Sequence, residues 1–541
     1  MRLGVLQIVG IGLSFLASQD VFSALRIVPT EYATIQEAVN ATASDDTVLI
    51  QVGVYEETVS VPCRPMTIAG EYIFSGDSTD IDFCRWVAPA GHRNIQATVC
   101  GAGNSLVIAG LTFSGNSAGG GLDLERGGIV VEKCVFDACS AFAGGALYAA
   151  DSELQVANCV FTRCHAATTG GVVYLDSVRC VISGSRVEDC GASGPNGALF
   201  RFGDRSAYFD NVAVRNCVLP EQRALFDLTG VMDTVLFTSC VISNSVFGYG
   251  VYQSSGLCSI FKMERCNFEG NTIRKSIVSD DVLEIGDYLI SGCVFRENHS
   301  ADFIGVAAMF VCHGHYGFFR FTDNLFAYKD WLDESCMFVV FYGNELISRN
   351  YFIGNSSSEG IATPCVVYAY GVSENTFRHN VFHDNLTAAC AAFVSTEPIA
   401  QVQNNYWGDP SGPYHIEMNP AGLGDTVVGD LDFVPWSEDT SFLSTAIESP
   451  LPVSIALGYP YPNPFNSEVK IEYALAREQD VRIDIYDVLG RRVSELLGER
   501  QGVGVHSVRW DANGFASGLY FARLSSADSR AAQSAKLLLM K

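Results

Sequence analysis

A self-repeat constrains this chain more than any other feature. Gly144-Gly145-Ala146-Leu147-Tyr148 is followed by Gly170-Gly171-Val172-Val173-Tyr174, Asn196-Gly197-Ala198-Leu199-Phe200, Arg223-Ala224-Leu225-Phe226 and Gly250-Val251-Tyr252. The groups recur roughly every 26 residues, a period that signals a solenoid. A second marker keeps phase with the first: an apolar residue, two variable positions, then Asn or Cys. It runs Phe113…Asn116, Phe136…Cys139, Phe161…Cys164, Val187…Cys190, Val214…Cys217, Phe268…Asn271, Phe295…Asn298, Phe352…Asn355 and Phe382…Asn385. Ile242 replaces the aromatic once, and spacings lengthen before it, before Phe326 and before Phe382. Each repeat holds three short β-branched or aromatic runs divided by Gly, Asn, Ser or Asp. Three strands per turn with polar corners predict an all-β chain built as a right-handed parallel β-helix solenoid. A dozen turns at ~4.8 Å predict a rod of roughly 55–60 Å.

Asn at a fixed corner suits stacking, since its amide donates to one turn and accepts from the next. Cys139, Cys164, Cys190 and Cys217 take that corner, and Cys134, Cys159, Cys240, Cys266 and Cys293 stand two residues before the apolar marker. Stacked side chains come close enough for disulfides, but parallel Cβ vectors give poor geometry. The preferred reading is small buried apolar thiols filling a ladder. Cys63, Cys84 and Cys100 fall in a less regular stretch where a disulfide closing Gly70 to Pro89 is expected.

The chain has 541 residues, 48% of them hydrophobic and 17% charged, with 51 glycines and 18 cysteines. This suits a β-rich fold with tight turns and excludes a disordered chain. A net charge of −26 disfavours nucleic acid and anionic lipid as partners. Residues 1–24 read as a signal peptide: Met1-Arg2, an apolar run from Leu3 to Ala17, and cleavage after Ser23 or one residue either side. No other segment is long and apolar enough to span a bilayer. The mature protein is therefore expected to be secreted or held at the outer-membrane surface.

In chain order, Ile35-Gln36-Glu37-Ala38-Val39-Asn40 predicts an amphipathic helix with Ile35, Ala38 and Val39 on one face. Thr47–Val52 predicts a buried strand, followed by Gly53-Val54-Tyr55-Glu56-Glu57. This opening resembles pectate-lyase-like β-helix proteins, which implies a helix capping the first turn. The β-helix is expected over 25–436. It closes with Asn404-Asn405-Tyr406-Trp407-Gly408 and Pro435-Trp436, which resembles the terminal turn of bacterial β-helix proteins. Trp407 and Trp436 are expected to cover the last turn. Asp409, Asp425, Asp430 and Asp432 make Ca²⁺ conceivable there, with solvated turn carboxylates as the preferred reading and no cofactor expected.

Residues 437–455 read as a linker. Alternating strands follow without cysteine, predicting a small Ig-like β-sandwich over 456–541. Tyr461-Pro462-Asn463-Pro464-Phe465-Asn466, Ile485-Tyr486-Asp487-Val488-Leu489-Gly490-Arg491-Arg492-Val493, Ser517-Gly518-Leu519-Tyr520 and Lys536 to Lys541 resemble the type A C-terminal sorting domain of the type IX secretion system. That resemblance implies secretion machinery as a partner. A carbohydrate-binding sandwich is the rival reading.

Chemistry is less legible. Polygalacturonase-like hydrolysis needs paired carboxylates, and that family carries Asn-Thr-Asp, Asp-Asp, Gly-His-Gly and Arg-Ile-Lys motifs. Asp280-Asp281 and Cys312-His313-Gly314-His315 match in part; the first and last motifs are absent. Lyase chemistry needs carboxylates beside a basic residue. Positions after the apolar marker give Asp137, Glu188-Asp189, Arg215, Glu269, Arg296-Glu297 and His383-Asp384, which reads as a mixed-charge face. His313, His315, His379 and His383 are candidate metal ligands, set against surface or corner histidines. The repeats also resemble those of chlamydial polymorphic outer membrane proteins, β-helix adhesins. The expected function is a non-enzymatic surface binding or adhesion protein for a glycan or surface ligand. The rival is a polysaccharide lyase or glycoside hydrolase, with function residing in outward positions and around Asp280 to Trp331.

Overall fold

A computed structural model describes residues 24–540 apart from 100–104, 116–118, 195–197, 220–223, 248–249, 255–256, 274–275, 281–284, 301–309, 313–317, 328–337, 341–343, 356–364, 370–375, 386–390, 396–399, 444–455, 458–464, 476–478, 489, 502–503 and 527–528. The signal peptide, Asp281, His313, His315 and Trp331 lie outside the described residues, as does most of the insertion from Asp280 onward.

The apolar marker forms one column. Thirteen short parallel strands, from Gly53–Glu56 to Val381–His383, stack into a single sheet. Tyr55, Trp86, Phe113, Phe136, Phe161, Val187, Val214, Ile242, Phe268, Phe295, Phe326, Phe352 and Phe382 stand directly over one another. Ring centroids repeat at 4.9 Å for Phe136–Phe161 and 5.0 Å for Phe295–Phe326, with planes 8° and 7° apart. Offset stacking adds to the burial of each ring. A larger parallel sheet, whose long strands bend around a corner, supplies the other two faces, so the architecture is a right-handed parallel β-helix.

Two left-handed corners bracket nine of the thirteen short strands. Three residues before the marker, Lys133, Asn158, Asn211, Ser239, Arg265, Asp323, Arg349 and His379 all have positive φ, with Gly110, Gly184 and Gly292 in the same place. Two residues after it, Ala138, Arg163, Asp189, Asn216, Asn244, Glu297 and Asp384 do likewise, joined by Gly270 and Gly354. Positive φ costs a non-glycine residue, and the adjacent ladder residue fixes the corner by hydrogen bonding. From the first corner to the ladder residue after the second, the block is always seven residues, as in Lys133–Cys139 and Arg265–Asn271.

There are two ladders. Two before the marker, Asn324, Asn350, Asn380 and Asn405 form a buried amide column: the Oδ1 of Asn350, of Asn380 and of Asn405 accepts the backbone N–H and Nδ2 of the Asn one turn earlier, at 2.8–3.1 Å. Three after it, Asn271–Asn298 and Asn355–Asn385 repeat the pattern. The cysteines continue both columns. Cys164 Sγ donates to Phe136 O (3.5 Å) and Cys190 Sγ to Phe161 O (3.6 Å), as Asn271 Nδ2 donates to Ile242 O (2.8 Å). Cys164 N donates to Cys190 Sγ, Cys266 N to Cys293 Sγ, and Cys293 N to Asn324 Oδ1. All twelve described free cysteines are buried. The ladder thiols are buried and free, as expected, and they also hydrogen-bond: Sγ donates to carbonyls throughout the columns, and that of Cys190 and Cys293 accepts a backbone N–H as well. Cys63 is disulfide-bonded, whereas Cys84 is a free thiol.

Both ends are closed. Helix Ile35–Ala41 buries Ile35, Ala38 and Val39 as the pattern predicts. Thr34 Oγ1 accepts from Glu37 N, and Glu57 takes the amides of Ile35 and Gln36 at 2.8 and 3.0 Å, satisfying donors no helical turn can. At the far end Trp407 stacks on Phe382 at 4.6 Å, and Trp436 packs against Phe433 while Nε1 donates to Pro410 O.

The C-terminal strands are antiparallel. One sheet holds Ala456–Leu457, Glu468–Leu475 and Gly504–Asp511; the other holds Gln479–Asp487, Arg492–Gln501, Gly518–Ser526 and Ser529–Leu539. Val469, Ile471 and Trp510 from the first meet Ile485, Tyr520, Ala522, Leu537 and Leu539 from the second in one buried cluster, as in a sandwich.

Candidate functional site

The outward column beside the apolar marker contains Asp137, Glu188, Arg215, Glu269 and Arg296 in register, and Asp189, Glu297 and Asp384 occupy the corner after it. Two of its carboxylates are matched by arginines beside the column. Arg85 and Arg163 pair with Asp137, and Arg186 pairs with Glu188 at 3.3 Å. His379 and His383 lie on one turn at opposite ends of a short strand, and His383 Nε2 is 3.3 Å from Asp384. Burial and the neighbouring Arg378 and Arg349 push the His379 pKa down.

The four aspartates of the closing turn do not converge. Asp409 accepts from Ser411, Asp432 accepts from Gln403 Nε2 at 2.7 Å, and Asp425 caps a ladder by accepting Asn385 Nδ2 at 2.6 Å. Among the described residues no three His, Cys, Asp or Glu side chains gather as a metal set.

A different face carries an arrangement that the sequence reading missed. Strands Leu122–Glu132, Leu147–Ala157, Val173–Asp176, Phe200–Asp210 and Ala224–Thr238 stack so that Asp123, Tyr148, Tyr174, Arg201 and Asp227 form one column. Leu122, Leu147, Val173, Phe200 and Phe226 point inward beside them and are buried. The Tyr148 and Tyr174 rings stack at 5.2 Å with planes 7° apart. The Arg201 guanidinium lies over the Tyr174 ring at 5.8 Å and pairs with Asp227 at 3.6 Å. A second outward row, two residues along each strand, holds Glu125, Ala150 and Asp176. Both tyrosines are half-buried along their rings.

Electrostatics tie the strip together. Burial, followed by Tyr174, Asp176, Asp123 and Glu125, pushes the Tyr148 phenol up. Burial also raises the Asp123 carboxyl, against the pull of Arg93 and with the push of Glu125. Arg93 turns its guanidinium to the Ala143 and Gly144 carbonyls, both at 2.6 Å.

The strip escaped sequence analysis because the glycine-led motif slips by one residue. Phe200 stands on Val173 and Phe226 on Phe200, so Arg201, not Phe200, continues the tyrosine column. The reason is burial: Phe200 and Phe226 stack at 5.1 Å in the core, and a one-residue shift exchanges the faces of a strand. Strict in–out alternation within Leu147-Tyr148 and Val173-Tyr174 was the signal available.

In the C-terminal sandwich the motifs meet. Phe465 bridges to Leu539, and Met540 N donates to Phe465 O at 2.7 Å. Tyr520 packs on Trp510 and donates to Ala516 O at 2.8 Å. Gly490, with φ 72°, lets Asp487 fold back onto Arg491, whose Nε donates at 2.7 Å.

Residues 97–273 match the family described as right handed beta helix region, and residues 460–539 match the secretion system C-terminal sorting domain. The chain is a right-handed parallel β-helix bearing a type IX sorting domain. The sorting domain indicates export, to the cell surface or beyond it, and no helix among the described residues is long and apolar enough to cross a membrane. No curated protein matches the chain. Among solved structures, the β-helix chain is similar to two mutant tailspike proteins of E. coli bacteriophage HK620, each in complex with a pentasaccharide. One is 10% identical, with 90% of this chain and 92% of that one covered at a TM-score of 0.24. The other is 10% identical, with 88% of each covered at 0.22.

Proposed function

We propose that the exported β-helix is a non-enzymatic surface protein that binds glycan along the strip of Asp123, Tyr148, Tyr174 and Arg201. One observation carries the reading: a stacked tyrosine pair held outward on consecutive turns, bordered by Asp123, Glu125 and Asp176 on rigid strands. Phenols, carboxylates and a guanidinium on strands offer fixed hydrogen-bond partners to sugar hydroxyls at little ordering cost. Titration of the mature protein with a panel of soluble oligosaccharides, by calorimetry, tests it. Tyr148→Ala with Tyr174→Ala should weaken binding at least tenfold while leaving the unfolding midpoint in place; unchanged binding removes the strip from the reading.

The polysaccharide-degrading alternative also has an observation behind it. Burial raises the Asp123 carboxyl, which stands two residues from Glu125 on the same outward face, and glycoside hydrolysis uses a pair of carboxyl groups whose surroundings set them apart. Release of reducing ends or unsaturated products that Asp123→Asn abolishes would establish that reading instead.

A further inference from the structure

Resting on the glycan-binding reading, we infer that the strip selects a cationic, amino-sugar polymer lying along the rod axis, and rejects acidic polysaccharides. The two arginines at the tyrosine column are already occupied. Arg93 donates to the carbonyls of Ala143 and Gly144, and Arg201 is held between the Tyr174 ring and Asp227. On the tyrosine column itself, a uronate or sulfate would have to break one of these arrangements to find a cation; exposed Arg126 stands beyond Glu125, at the bend of the strand. On the ligand side stand Asp123, Glu125 and Asp176, none of which forms an ion pair among the described residues. Arg93 acts on Asp123 only at longer range.

The spacing favours a linear ligand. Glu125 and Asp176 share the second row two turns apart, so they are separated along the axis by ~9.6 Å, and Asp123 flanks Glu125 from the tyrosine column. Between them Ala150 is the only side chain of the second row. A polymer that advances one sugar per turn would set alternate ammonium groups opposite successive carboxylates, with the tyrosine hydroxyls facing the sugar hydroxyls between. The chain's net charge of −26 adds a long-range attraction of the same sign. Half-exposed pairs of this kind are screened by salt, so the preference should be salt-dependent.

The test compares three hexasaccharides on the mature protein at low salt: glucosamine, N-acetylglucosamine and galacturonate. Glucosamine should bind at least ~10-fold tighter than its acetylated form, with galacturonate weakest, and 0.5 M NaCl should erase the difference. Asp123→Asn with Asp176→Asn should bring glucosamine down to the level of the acetylated sugar; circular dichroism and the unfolding midpoint confirm that this variant folds. Equal binding of all three sugars, or tightest binding of galacturonate, overturns the charge inference and leaves the glycan reading standing. Binding of none of them overturns both.

Discussion

Asn350 offers the most direct test of what holds the rod together. Fully buried, it donates through Nδ2 to Phe321 O at 2.8 Å and to Asn380 Oδ1 at 3.0 Å. Its Oδ1 accepts Asn324 N at 3.1 Å and Asn324 Nδ2 at 2.9 Å. Asn350→Val keeps much of the volume and deletes all four bonds. The Asn324 amide loses its acceptor and the Phe321 carbonyl loses this donor. A buried group left unmatched costs ~1–3 kcal/mol, so two predict a loss of ~2–6 kcal/mol. Asn350→Cys should fall between Val and the parent, because Cys266 and Cys293 already fill the same column with Sγ as donor and acceptor. Urea unfolding followed by circular dichroism reads the order of midpoints as Asn above Cys above Val. Coincident midpoints for Asn and Val would refute the ladder as a source of stability, and coincident midpoints for Cys and Val would refute the equivalence of thiol and amide.

Three further outcomes are expected. Burial raises the Asp425 carboxyl pKa against the pull of Asn385, so its ionised form is penalised in the fold at neutral pH. The penalty is relieved as pH falls through the raised folded value and is gone below the unfolded value near 4. Asp425→Asn should therefore be more stable than the parent at pH 7, by a margin that shrinks toward acid pH in paired melting curves; a margin that grows contradicts the assignment. Burial pushes the Cys84 thiol up to about 12 and the ladder thiols up as well. Since the thiolate is the reactive form, a thiol reagent at pH 8 should label none of the twelve free buried cysteines until denaturant is added, and rapid native labelling of Cys164 or Cys240 would contradict this. Deleting residues 456–541 should strand the β-helix in the periplasm, read by fractionation and surface proteolysis; continued surface display would break the link between sandwich and export.

The rod was legible because its signals are local and repeated. The apolar marker, the Asn and Cys corners, the capping helix and the closing tryptophans each follow from one turn's chemistry, copied. The sorting motifs were legible for a related reason: Phe465, Tyr520, Leu537 and Leu539 are distant in sequence but all serve one small core. The strip was not legible, since it depends on register between turns. The step from Leu147 to Val173 is 26 residues and from Val173 to Phe200 is 27. That single added residue decides whether an aromatic or an arginine faces water. The buried free thiols were legible, but their hydrogen bonds were not, because sulfur's weak donation shows only against named carbonyls.

The seven-residue block from corner to ladder has a consequence for how such a chain can change. Every length difference between turns falls outside it, so one edge of the rod works as a fixed spine and the rest as free margin. Removing Val160 to Ser185 would join Cys159 to Arg186, the residue already paired with Val160, so that the apolar column and the ladder from Cys139 to Cys190 would stay in phase. Whole coils can thus be gained or lost like beads on a string, and the rod's length becomes a matter of copy number.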